Sequence, residues 1–145
     1  MMIRLLDHQN DLKTYAVVLQ TGDEVMHSLS TFAQRERIDG AKLSAIGAFR
    51  QATLLYFDWD SKEYKEIPVD EQVEVAALNG DIGVDEEGRP ALHVHLVLGR
   101  RDGSALAGHL KSAEVRPTLE IMVTETPGHL RRRHDAETGL ALLQV

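Results

Sequence analysis

The sequence predicts an α+β fold: a mostly antiparallel, multi-stranded sheet with one main helix packed on it. Three observations predict it. Short apolar runs rich in Val, Leu and Ile recur along the whole chain. Turn-forming clusters separate most of them, and a single segment carries helical spacing. So many strands for one helix argue against a doubly wound parallel sheet.

Thr14 to Gln20 reads as the first strand, around Tyr15-Ala16-Val17-Val18-Leu19. Thr21-Gly22-Asp23-Glu24 then has capping-box spacing, with Thr21 as N-cap and Glu24 reaching back. Val25, Met26, Leu29, Phe32 and Ala33 follow at helical spacing, predicting a helix over about Asp23–Ile38 that Asp39-Gly40 ends. Further strands are expected over Leu43–Ala52, Thr53–Asp58, Tyr64–Val69, Gln72–Asp81, Ala91–Leu98, Ser104–Lys111, Arg116–Thr124 and Leu140–Val145. Asp60-Ser61, Asn79-Gly80-Asp81, Glu87-Gly88-Arg89-Pro90, Asp102-Gly103 and Pro127-Gly128 supply the turn chemistry between them. Open edges in such a sheet favour oligomerisation.

A chain of 145 residues, 43% hydrophobic and 27% charged, can bury a core as one domain, expected to span residues 1–145. It contains no cysteine. Any metal must therefore be held by nitrogen or oxygen. The formal net charge of −7 opposes direct binding to nucleic acid, whose affinity rests on neutralising phosphates. No DNA-binding residues are assigned; the basic run Arg131-Arg132-Arg133-His134 reads as a solvated turn between strands. Met1-Met2-Ile3-Arg4-Leu5-Leu6-Asp7 becomes charged too early for a signal peptide, and no apolar run approaches the ~20 residues of a membrane helix. A cytoplasmic protein without a membrane partner is expected.

The pointed chemistry lies in the histidines. In Ala91-Leu92-His93-Val94-His95-Leu96-Val97-Leu98, His93 and His95 are two apart in a strand and share one face. Such a pair alone is a common coincidence. The following hairpin adds to it. If Gly99-Arg100-Arg101-Asp102-Gly103 is a five-residue loop, Leu98 pairs with Ser104, His93 lies opposite His109, and His95 sits on the diagonal. Three imidazoles then converge, a set suited to Zn²⁺ with a fourth position open. Fe²⁺, Ni²⁺ and Mn²⁺ also accept such ligands. The alternative is three rings hydrogen-bonded on a polar face without an ion. Gly108 beside His109 would let another backbone or a ligand approach closely. His8, His27, His129 and His134 are expected at the surface.

Read together, Ala91-Leu92-His93-Val94-His95-Leu96, Asp102-Gly103, Gly108-His109-Leu110 and Thr118-x-Glu120 resemble the prokaryotic branch of the Plants and Prokaryotes Conserved (PPC) domain family. Gly22-Asp23-Glu24-Val25, Ile46-Gly47-Ala48-Phe49 and Glu74-Val75-Ala76-Ala77-Leu78-Asn79-Gly80-Asp81-Ile82 follow in that family's order, so the resemblance runs from about Thr14 to Glu125. It implies a compact α/β domain that assembles as a homotrimer, with His93, His95 and His109 as a metal site. In plants the domain accompanies AT-hooks, and bacterial relatives carry a DNA-binding label. The chain departs from that pattern in three places. Glu87-Gly88-Arg89-Pro90 lacks the first arginine of the AT-hook core. Only Glu74 matches the plant partner-binding stretch where it falls on Glu71–Ala76. Ala107 replaces the first glycine before Gly108-His109-Leu110.

Two functions follow as expectations. The first is a homotrimeric metal-binding module of protein interaction or regulation, with a structural or sensing ion. The second is a zinc-dependent enzyme, such as a hydrolase of a small molecule, in which Glu74 or Glu120 would serve as acid or base if their strands neighbour the hairpin.

Overall fold

The computed structural model describes residues 1–144. Strands β1 (Met2–Gln9) and β2 (Leu12–Gln20) form a hairpin turned by Asn10 and Asp11, both at positive φ. That is the two-residue geometry a twisted hairpin favours. Sequence reading does not anticipate β1. Arg4, Asp7 and His8 interrupt its apolar pattern, and nearly all of it is exposed, as an edge strand can be.

Helix α1 runs Val25–Glu36 and buries Val25, Ser28, Leu29, Phe32 and Ala33. Its N-cap is Glu24, not Thr21. The Glu24 carboxylate accepts from the backbone N–H of His27 at 2.7 Å and of Ala113 at 3.2 Å, tying the helix start to the sheet. The helix starts later than the capping box implies, and the Thr21 hydroxyl donates instead to the Pro117 carbonyl. The helix also stops before Ile38. Arg37 turns left-handed at φ 57° and donates its N–H to the Ala33 and Gln34 carbonyls. Phe32 meets Tyr15 of β2 edge to face, with ring centroids 5.2 Å apart. The Tyr15 hydroxyl donates to Glu36, and burial first, then the Glu36 charge, pushes its pKa up to about 12.

The four strands expected over Leu43–Ala52, Thr53–Asp58, Ser104–Lys111 and Arg116–Thr124 are two. β3 spans Ala41–Asp58; β4 is Glu63–Val69, β5 Val73–Val84, β6 Pro90–Gly99, and β7 spans Ala105–Glu125. Register shifts between β3 and β7 bend these long strands where sequence reading places breaks. Asn79-Gly80-Asp81 is likewise not a turn. It lies inside β5, paired with His95, Val94 and His93 of β6. β8 (Arg131–His134) and β9 (Ala141–Gln144) form a final antiparallel pair. The expected last strand began at Leu140, and its final residue, Val145, lies outside the described residues.

β3 pairs with β5, β5 with β6, β6 with β7, and β7 again with β3, so these four strands close a ring of hydrogen bonding. β1–β2 extends one side, β4 pairs with the far half of β3, and β8 meets β5 in parallel at Val84–Arg131. The core is one cluster of buried apolar residues to which α1 and the inner faces of β2–β7 contribute. The result is more sheet-dominated than a balanced α+β fold. No described helix is long and apolar enough to cross a membrane.

Candidate metal centre

Along β6, Val94, Leu96 and Leu98 are buried, while His93, His95 and Val97 occupy the opposite face. That alternation is the strand period read from the sequence. The β6–β7 turn occupies Arg100–Ser104, with Arg100 N–H on the Ser104 carbonyl and the Asp102 carboxylate accepting from both the Ser104 N–H and hydroxyl. Holding Ser104 in the turn slides the five-residue loop one position along. Leu98 therefore faces Leu106, and His109 faces His95 rather than His93. The pairing expected between His93 and His109 is corrected, but the change of partner is two residues. An even slip keeps every side chain on its face.

The three rings converge. Their centroids lie 4.9, 5.2 and 5.2 Å apart, and His93 Nε2 is 3.1 Å from His95 Nε2. One nitrogen from each ring can be chosen so that all lie within 4.8 Å of one another. Tetrahedral zinc with Zn–N of ~2.0–2.1 Å sets its donors about 3.3–3.4 Å apart. The closest pair is within a few tenths of an ångström of that. His109 Nδ1 is buried without a hydrogen-bond partner. The donor set is all imidazole, and an orphaned ring nitrogen sits within it, so these residues fit a divalent ion.

A row of side chains crosses the sheet at this level: Asn79 of β5, His95, His109, Leu55 of β3 and Glu66 of β4. Tyr64 tilts over His109 at 5.5 Å between centroids. Two glycines let the strands draw together. A Cβ on Gly80 would lie 2.3 Å from the His93 carbonyl oxygen, and one on Gly108 would lie 3.1 Å from both Leu54 Cβ and the Leu55 carbonyl oxygen.

Sequence reading missed the groups behind His93. β8 was expected to be a solvated turn; instead Arg132 is buried, because strand alternation turns it inward while Arg131, Arg133 and His134 face solvent. Arg132 Nη2 donates to both Asp81 oxygens at 2.7 and 2.9 Å and lies 3.1 Å from His93 Nδ1; its Nη1 donates to the Ala141 carbonyl. The basic cluster and Asp81 in an apparent turn were visible in the chain, but nothing local signalled that they meet. Burial, then the positive Arg132, holds the His93 pKa below its usual value. Burial, then the neighbouring His93 and His95, lowers that of His109 to about 4. Both rings are kept neutral, the state that ligates metal.

Glu74 and Glu120 lie elsewhere. Glu74 is exposed opposite Gly99, and Glu120 is exposed opposite Val18 and Ile46, eleven residues beyond His109 along β7. Neither joins the histidine group. His8, His27, His129 and His134 are exposed, as expected.

A family model for the Plants and Prokaryotes Conserved (PCC) domain matches residues 6–127. The chain belongs to this family. Solved PCC-domain relatives share its fold along nearly the whole length. The plant- and prokaryote-conserved protein of Pyrococcus horikoshii is 30% identical with TM-score 0.85, the match covering 99% of this chain and 95% of that one. A protein of Archaeoglobus fulgidus described as metal-containing is 30% identical with TM-score 0.85, covering 100% of this chain and 99% of that one. A candidate DNA-binding protein of Bacteroides thetaiotaomicron is 29% identical with TM-score 0.89, covering 99% and 98%. A search of curated protein sequences finds no match.

Proposed function

We propose that this PCC-domain chain is a cytoplasmic, homotrimeric metal-binding protein of a single domain, 1–145, acting as a protein-interaction or regulatory module. The observation that carries the reading is the convergence of His93, His95 and His109, with donor nitrogens within 4.8 Å. Zn²⁺ suits three neutral imidazoles best, and the A. fulgidus relative described as metal-containing supports a resident ion. When bound, such an ion supplies Lewis acidity at its open position. The chain's own contribution is to hold three imidazole rings on a rigid sheet, one of them exposed.

Assembly is supported by the same face. Val97 stands two residues from His95, and Met122 and Ile46 continue the outer surface across β7 and β3, at 38, 44 and 62% exposure. Large apolar side chains left exposed on one outer surface are a feature of interfaces. The formal charge of −7 disfavours direct DNA contact.

The alternative, a zinc-dependent hydrolase, draws on the exposed side of the triad. The carboxylates expected to serve it do not join the triad: Glu74 and Glu120 lie away, and Asp81 is held by Arg132. Elemental analysis of untagged protein, with mass measurement in solution, tests the main reading. Stoichiometric zinc in a trimer is expected; a metal-free monomer would overturn it. Tight, salt-sensitive duplex binding in a gel shift would displace it in favour of DNA recognition.

A further inference from the structure

The contact behind His93 has a donor problem. A guanidinium has only N–H groups and can never accept a hydrogen bond. Arg132 Nη2, 3.1 Å from His93 Nδ1, therefore makes Nδ1 the accepting nitrogen, and a neutral His93 then carries its proton on Nε2. Yet Nε2 is the atom aimed at His95 Nε2 and the centre of the triad. An imidazole that ligates through Nε2 must carry its proton on Nδ1 and donate it backwards.

A carboxylate able to take that proton stands beside His93, though the two are not hydrogen-bonded here. Asp81 is the register partner of His93 across β5–β6, and its carboxylate sits on the same Nη2 at 2.7 and 2.9 Å. That nitrogen has two hydrogens facing three acceptors: Asp81 Oδ1, Asp81 Oδ2 and His93 Nδ1. The Nε of the same guanidinium is buried without a partner. Turning His93 Nδ1 from acceptor to donor relieves the excess. Both Nη2 hydrogens then serve the carboxylate, and the carboxylate takes the histidine N–H.

We propose that metal entry shifts the His93 proton from Nε2 to Nδ1 and moves its rear hydrogen bond from Arg132 to Asp81. One proton leaves Nε2 to water and one arrives at Nδ1 from water, so no group changes charge. Asp81 is thereby the positioning residue of the metal-bound site, and Arg132, carried by β8, holds the metal-free tautomer. Because linkage is reciprocal, docking of β8–β9 and occupancy of the site act on one another.

The inference rests on the metal reading, and zinc titration of the wild-type protein tests that reading first; no uptake would remove both. With zinc bound, long-range ¹H–¹⁵N spectra decide the inference itself. Nδ1 of His93 is expected to be unprotonated without zinc and protonated with it. The Asp81→Asn variant is expected to bind zinc roughly 10–100-fold more weakly, as loss of a carboxylate behind a ligating histidine does. The same tautomer in both states, or Asp81→Asn affinity within about twofold of wild type, would overturn the proposal while leaving the metal site standing. Should Asp81→Asn fail to fold, the wild-type spectra decide alone.

Discussion

His95 and His109 face each other across the β6–β7 hairpin, the register pair that brings two of the three imidazoles to one level of the sheet. Removing either ring leaves the proposed ion two protein ligands. His109→Ala is expected to lower zinc affinity by more than about 100-fold, beyond what loss of a ligand's supporting partner costs. Competition with a chromophoric chelator measures it. Affinity close to wild type would mean that His109 is not a ligand.

The metal-free protein should lose stability in mild acid. His109 is held neutral in the fold, its pKa lowered from 6.5 to about 4 by burial and by the neighbouring imidazoles. The unfolded chain takes up this proton near pH 6.5 and the native one only near pH 4. Unfolding is thus increasingly favoured as pH falls between those values, and the effect levels off below them. Denaturant melts of metal-free wild type and His109→Gln, run across that window, should show the steeper slope in wild type. Parallel slopes would rule out the burial effect.

Arg132→Met removes the partner of a largely buried carboxylate. Asp81 keeps some exposure, so the cost is put at roughly 2–3 kcal/mol, below the 3–5 of a fully buried pair. Denaturant unfolding reads it directly. A loss under about 0.5 kcal/mol would return Arg132 to the solvated role its sequence context suggests.

Gly80→Ala tests the close approach of β5 and β6. The added Cβ would lie 2.3 Å from the His93 carbonyl oxygen, a backbone atom that cannot swing aside. β6 must shift, carrying His93 with it. Zinc affinity is expected to drop even where the fold survives, and an unchanged affinity with unchanged melting would contradict the packing.

Phe32→Ala empties the main aromatic contact between α1 and β2. About 3–5 kcal/mol of stability should be lost, as for other fully buried aromatics. Zinc binding by the remaining folded protein should be spared, because Phe32 lies on the helix and the histidines on the outer face.

The part of the site written in local order was legible. His93 and His95 share a face through strand alternation, and His109 keeps that face in either register of the five-residue loop, so the triad survives the slipped loop. What was hidden depends on distant pairings. Arg132 reads as surface because three basic neighbours usually are, and only docking of β8 beside β5 turns one of them inward. Asp81 follows an Asn-Gly pair that has turn chemistry, whereas the glycine serves the close approach of the His93 backbone to Gly80. The same logic covers the fold. Helix periodicity located α1, but its cap depends on Ala113 across the sheet, and the bends in β3 and β7 look like strand ends until both partners are known.

Within the circuit of β3, β5, β6 and β7, His95 is paired on both sides, with Asn79 and His109, and His109 likewise with His95 and Leu55, so neither lies on an open edge. A chelator should therefore strip the ion without melting its cradle. Reloading then becomes a matter of diffusion and desolvation, not refolding, and the amides of His95 and His109 should be among the last to exchange with deuterated solvent.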